Sequence, residues 1–174
     1  MKNLKKLLAL SIVMAAFTAA TFGQASDVSA ASATIVSPIA IDNTRALEFG
    51  NIAAGAAAGS VTLSPDAVTT RTFVGVTLPA VTGAVSSAEF EVTGTPAYTY
   101  SIAITPASVN ITNGGGQTMS VGTFTSTPTV ALGGTLDGTG AQNIYVGATL
   151  TVGANQAPGT YTNATAFTVT VNYN

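Results

Sequence analysis

The chain has 174 residues, 47% of them hydrophobic and 7% charged, with no His, no Cys and no Trp. Without Cys there is no disulfide framework, no thiolate nucleophile and no zinc–thiolate site. Without His, the commonest general base and the commonest transition-metal ligand are both missing. With 29 Thr and 18 Gly, the composition is that of an all-β protein.

Lys2, Lys5 and Lys6 open the chain and precede an uncharged apolar stretch from Leu7 to about Thr21. Val28-Ser29-Ala30 then supplies the small-residue pattern that signal peptidase reads. Residues 1–30 are therefore expected to be a signal peptide cleaved after Ala30, with Ala25 and Ala33 as lesser alternatives. The apolar stretch is shorter than the ~20 residues of a membrane-spanning helix, so an exported chain with no retained anchor is expected. Export by the Sec route would carry it through the periplasm to the cell surface or beyond.

Cleavage there removes every lysine and leaves Arg45 and Arg71 against Asp42, Glu48, Asp66, Glu89, Glu91 and Asp137, a net charge of −4. Two scattered cations neither neutralise a phosphate backbone nor form a polybasic patch for anionic lipid. Nucleic acid and membrane surface are excluded as expected partners.

From the processed start onward, apolar residues recur with a period of two, the signature of half-buried strands. Ile35, Ile39 and Ile41 share a parity, and Leu47 and Phe49 flank Glu48. The stretch from Ile52 to Ala58 is interrupted by Gly55 and reads as a loop. Val61 and Leu63 precede a Pro65-Asp66 turn, and Phe90 and Val92 oppose Glu89 and Glu91. Tyr98, Tyr100, Ile102 and Ile104 form one face; Met119, Val121 and Thr123 form another after the Gly114–Gly116 turn. Ile144, Val146, Ala148, Leu150 and Val152 define a long strand, and Phe167, Val169, Val171 and Tyr173 define the last. Eight or nine such strands predict an antiparallel, immunoglobulin-like two-sheet sandwich with Thr on its wet faces. Residues 31–46 are expected to be an N-terminal strand and joint, and residues 47–174 the sandwich domain.

No catalytic, cofactor or metal site is expected. Glu89 and Glu91 share a strand face about 7 Å apart, a separation that suits glycoside hydrolysis, but the solvent face of a strand explains them equally and more simply. The Gly-rich segment Leu132–Gly140 has the flavour of a calcium loop with Asp137 as its only carboxylate, where calcium takes several. The Asn110-Ile111-Thr112 and Asn163-Ala164-Thr165 sequons are chance matches in a Thr-rich chain. A Ser or Thr nucleophile would lack both a His and a Lys to activate it.

The two ends are more informative. The last strand stops one residue before the terminus, and an unpaired sheet edge beside a core needs a cover. Residues 31–41 supply a short apolar ribbon joined to the domain by Asp42-Asn43-Thr44-Arg45. That ribbon either pairs within its own molecule or is added to a neighbour's sheet edge, the strand-addition mode known from pilins.

Leu47-Glu48-Phe49-Gly50-Asn51-Ile52, Phe90-Glu91-Val92-Thr93-Gly94, Val146-Gly147-Ala148-Thr149-Leu150, Gly159-Thr160-Tyr161 and Thr168-Val169-Thr170-Val171-Asn172-Tyr173 occur in that order. Together they resemble a family of small exported bacterial proteins grouped as a domain of unknown function. The tail is more distantly similar to spore-coat-protein-U-like and archaic chaperone–usher pilin domains. The pilin likeness implies an incomplete sandwich that the next subunit's N-terminal strand completes. On that analogy Ile35, Ile39 and Ile41 are the donor side chains, and Phe167, Val169, Val171 and Tyr173 line one wall of the acceptor groove. Pro38 lies inside the donor stretch, where it removes one ladder hydrogen bond and suits an edge or a bulge. The resulting expectation is a non-enzymatic subunit of a pilus-like surface fibre, partnered by copies of itself and by export chaperone or usher proteins. The alternative is a self-contained secreted module that binds a glycan or other surface ligand through Tyr98, Tyr145 and Tyr161. A coat protein assembling laterally without strand exchange is a third.

Overall fold

The computed structural model describes residues 23–174. A first unit ends at Ile35, and a second runs from Val36 to Asn174. In the first, residues 23–35 are exposed and carry no regular secondary structure, with the expected cleavage residue Ala30 among them. Residues 1–22 of the expected signal peptide lie outside the described residues.

The second unit contains ten strands: β1 (Ala40–Arg45), β2 (Gly59–Leu63), β3 (Arg71–Val74), β4 (Ala88–Thr93), β5 (Thr99–Thr105), β6 (Ser108–Thr112), β7 (Thr118–Thr127), β8 (Gly134–Thr135), β9 (Ala141–Val152) and β10 (Thr168–Tyr173). They form two antiparallel sheets, so the chain is an all-β sandwich, as alternation predicts. The twelve-residue β9 is the spine of the larger sheet. One edge of β9 pairs with β4 along its first half and with β2 along its second, while β7 takes the opposite edge. Outside these lie β1 on β4, β3 on β2 and β6 on β7. The smaller sheet has the order β10-β5-β8.

Alternation in the sequence maps onto the interior. Phe90, Val92, Ile144 and Val146 from the larger sheet meet Tyr100, Ile102, Val169 and Val171 from the smaller in a first core. Glycine at 147 is required in the spine because a Cβ there would strike the Leu63 carbonyl of the adjoining strand. At the far end, the Tyr161 hydroxyl donates to the Ala157 carbonyl at 2.7 Å. A Tyr bonding back to its own backbone four residues upstream is the corner that locks a late strand in immunoglobulin-type sandwiches.

The structure departs from the sequence pattern at definite places. β3 and β8 carry too little apolar alternation to be predicted, and in β3 both Phe73 and Val74 are exposed; β6 does alternate, with Val109 and Ile111 turned to the second core, and is a strand the sequence reading missed. Leu47 and Phe49 do not seed a full strand. Their segment is held to the chain at 77–86 by two isolated bridges, Glu48 to Ser86 and Ala53 to Thr77. In β7 the expected inward parity breaks after Val121. A bulge between Gly122 and Thr125, with Thr123 at φ 51°, turns Thr123 outward and sends Phe124 into the core.

Candidate functional site

The two sheets do not overlap completely. A second core of Val61, Val76, Val121, Ala148, Leu150 and Val152 receives no residue from the smaller sheet. Its outer side is reached instead by the extended segment that carries Leu47, Phe49 and Ile52. Between that segment and residues 155–167 lies a groove of about 1200 Å³. Val121, Leu150 and Val152 form its floor, Leu47, Phe49 and Ile52 one bank, and the stretch ending in Phe167 the other. The banks are anchored from behind. Arg71 donates to the Phe49 carbonyl at 2.8 Å on one side, and Thr112 and Thr162 bond reciprocally on the other. The two banks are tied together by the Asn155 amide, which bonds the Gly55 carbonyl at 2.8 Å. A trough with an apolar floor and two extended banks, one of them largely polar, has the shape an added strand would fill.

Beyond Phe167 the second bank becomes β10, which pairs with β5 alone among the described residues. The Asn174 amide bonds the Thr99 carbonyl at 3.2 Å, which sets the phase of the ladder. Thr168, Thr170 and Asn172 therefore direct their backbone groups to β5, and Val169, Val171 and Tyr173 direct theirs to the outer edge. That edge is unpaired among the described residues. It continues the line of the groove bank and offers a ladder to an incoming strand.

The expected acceptor residues divide accordingly. Phe167 lines the groove and contacts two rings, Phe90 at 6.1 Å edge-on and Phe124 at 4.8 Å tilted. Val169 and Val171 have inward side chains in the first core, so they present backbone to the edge and no side-chain wall. Tyr173 packs edge-on against Tyr98 at 5.5 Å.

The expected donor residues divide too, and here the structure amends the sequence reading. Ile41 lies in β1, opposite Val92 of the same chain, and both Ile39 and Ile41 pack on the first core. In the molecule as described they complete their own sandwich. Arg45 helps to hold them there: its guanidinium bonds the Ser87 carbonyl and hydroxyl at 3.1 and 3.2 Å and pairs with Glu89 at 3.4 Å. Ile35 alone is displayed, with 98% of its surface exposed. Pro38, expected to suit an edge, sits just before β1, outside any ladder. Alternation marked all three isoleucines equally; only pairing partners distinguish them, and those are remote in sequence.

The remaining candidates have structural roles. Glu89 is engaged by Arg45 and by Asn143, whose amide donates at 2.8 Å, while Glu91 is exposed. Asp137 ties its own turn, accepting from the Thr139 hydroxyl and from the Thr139 and Ala141 amides. Those bonds, that from the Thr139 hydroxyl foremost, hold its carboxyl below the usual range. Among the described residues no three acidic side chains converge on a metal site. Of the three tyrosines considered for ligand binding, Tyr98 packs on Tyr173, Tyr145 lies under the Arg45 guanidinium at 5.9 Å, and Tyr161 forms the corner.

Residues 39–173 match the family described as Domain of unknown function (DUF4402). The chain belongs to the DUF4402 family. The match begins at Ile39, so the DUF4402 region includes β1 and the whole sandwich and leaves the exposed stretch with Ile35 outside it. No curated protein and no solved structure matches the chain.

Proposed function

We propose that this DUF4402 protein is an exported, non-catalytic structural subunit of a bacterial surface polymer, in which the N-terminal tail of one copy lies in the groove of the next. The observation that carries the reading is the groove between the Leu47–Ile52 segment and residues 155–167, which lies over the second core where the smaller sheet does not reach and runs on to the unpaired edge of β10. Strand addition supplies main-chain bonds to such an edge and side chains to such a trough. The distant likeness to archaic chaperone–usher pilins supports the same mode, and in transit a chaperone strand would protect the same surface.

Chain length argues that the occupant is a second copy. The tail leaves the domain at Ser37, whose carbonyl accepts from the Tyr173 hydroxyl at the terminal end of β10. After cleavage at Ala30, the six residues from Ala31 to Val36 reach at most ~20 Å. That is about the length of β10 itself, at ~3.3 Å per residue. A molecule's own tail laid back along β10 thus ends near Phe167, at the mouth of the groove. A neighbour's tail has no such restriction.

The test compares chains beginning at Ala31 and at Ser37 by light scattering during size-exclusion chromatography. Assembly of the first, a monomeric second, and capture of a peptide of residues 31–37 by the second are expected. If both chains remain monomeric and the peptide does not bind, strand donation is wrong. Glycan binding by either chain would favour the self-contained module.

A further inference from the structure

Resting on that reading, we propose that Tyr173 is a latch that fixes Ser37 as the joint, so that only the residues before Ser37 are available for donation. Four hydrogen bonds converge there. The Tyr173 hydroxyl donates to the Ser37 carbonyl at 3.0 Å and accepts from the Thr95 amide at 2.7 Å. The Ser37 amide donates to Thr95 Oγ1 at 2.9 Å, and the Thr95 hydroxyl donates back to the Ser37 carbonyl at 3.3 Å. One residue of the incoming chain is therefore held through both its backbone groups by the β4–β5 turn and by the last strand.

The surroundings are shaped for this contact. A Cβ on Gly94 would collide with the Tyr173 hydroxyl, so the turn approaches that closely only as glycine. The Tyr173 ring is set from its other side by Tyr98. After the latch, Pro38 has a fixed φ and no amide to satisfy, and β1 begins two residues later at Ala40. Nothing slack lies between the latch and the sandwich. The latch also joins the donor side of a subunit to its acceptor side, because Tyr173 belongs to the strand whose outer edge is open. Successive subunits would then be connected with no flexible spacer, in place of the joint expected at Asp42-Asn43-Thr44-Arg45.

The chain has no Cys, so single-cysteine spin labels report unambiguously. The domain from Val36 to Asn174 has its own two cores, so the chain beginning at Ala31 is the protein to label. Ser37 is engaged through backbone atoms only, and its exposed side chain accepts a label without loss of the latch. In the monomer, kept from assembling by Met119→Arg in the groove, a label at Ser37→Cys is expected to be slow and one at Thr34→Cys fast. Tyr173→Phe should make the Ser37 label fast and raise exchange of the Ser37 and Thr95 amides by about tenfold or more, since both hydrogen bonds of the Tyr173 hydroxyl are lost. Thr95→Val, which keeps the Tyr173 hydroxyl, should raise exchange at Ser37. If the Ser37 label moves as freely as the Thr34 label in that monomer with Tyr173 intact, or if Tyr173→Phe folds and changes neither measurement, the latch is wrong. A chain that never assembles yet shows these monomer effects upholds the latch and overturns the polymer reading.

Discussion

Tyr100 makes alkaline stability a quantitative probe of the first core. Its side chain is fully buried, its hydroxyl donates to Gln142 Oε1 at 2.8 Å, and burial pushes its pKa up from 10.0 to about 12. Folding favours the neutral phenol, so the unfolded chain binds fewer protons than the folded one as pH rises past 10. The stabilisation is therefore complete below pH 10 and is lost progressively as pH rises through about 12. Two pH units correspond to about 2–3 kcal/mol at about 1.36 kcal/mol each. For a domain of this size that is a fall of about 5–10 °C in Tm, at roughly 2–4 °C per kcal/mol. The assay is thermal unfolding of the chain beginning at Ala31, near pH 9 and near pH 12, with and without Tyr100→Phe. The other four tyrosines are common to both proteins and cancel in the comparison. At neutral pH the substitution should cost only about 1 kcal/mol, because Gln142 Oε1 keeps its bond from the Thr135 amide at 2.9 Å. Between the two pH values, the substituted protein should lose clearly less stability. Equal losses in both would show that Tyr100 is not the buried titrating group and that the first core is wetter than described.

Other consequences are open to simpler measurement. Ser87 is buried, accepts from Arg45 and donates to the Asp66 carbonyl at 2.8 Å; Ser87→Ala should lower unfolding free energy by about 1–2 kcal/mol in a urea titration. Glu89→Gln should cost less than about 1 kcal/mol, and that cost should shrink as salt is added, since the pair with Arg45 is partly exposed and therefore screened. Gly134→Ala places a Cβ against the Tyr100 ring and Gln142, and should destabilise by about 1–3 kcal/mol or more by overpacking. Met119→Arg, on the partly open groove, should leave Tm within a few degrees and abolish assembly seen by light scattering; assembly at the unsubstituted rate would remove the groove from the mechanism.

Residue alternation alone established which face of most strands is inward, since a period of two leaves few choices once one face must leave water. Ile144 to Val152, Phe90 with Val92, and Val169 with Val171 were all legible in this way, and with them the all-β class. The bulge that exchanges Thr123 for Phe124 was not legible, because one extra residue reverses parity without altering composition. Nor was the fate of the three N-terminal isoleucines. Burial asks only that an apolar strand find a sheet edge, and the edge of β4 in the same chain satisfies Ile39 and Ile41 as well as a neighbour's would. Only the three-dimensional arrangement decided that those two stay at home, that Ile35 is left in water, and that half of the larger sheet is covered by an extended segment in place of the smaller sheet. Strand partnership depends on contacts between segments far apart in the chain, and the local pattern of apolar residues contains no record of them.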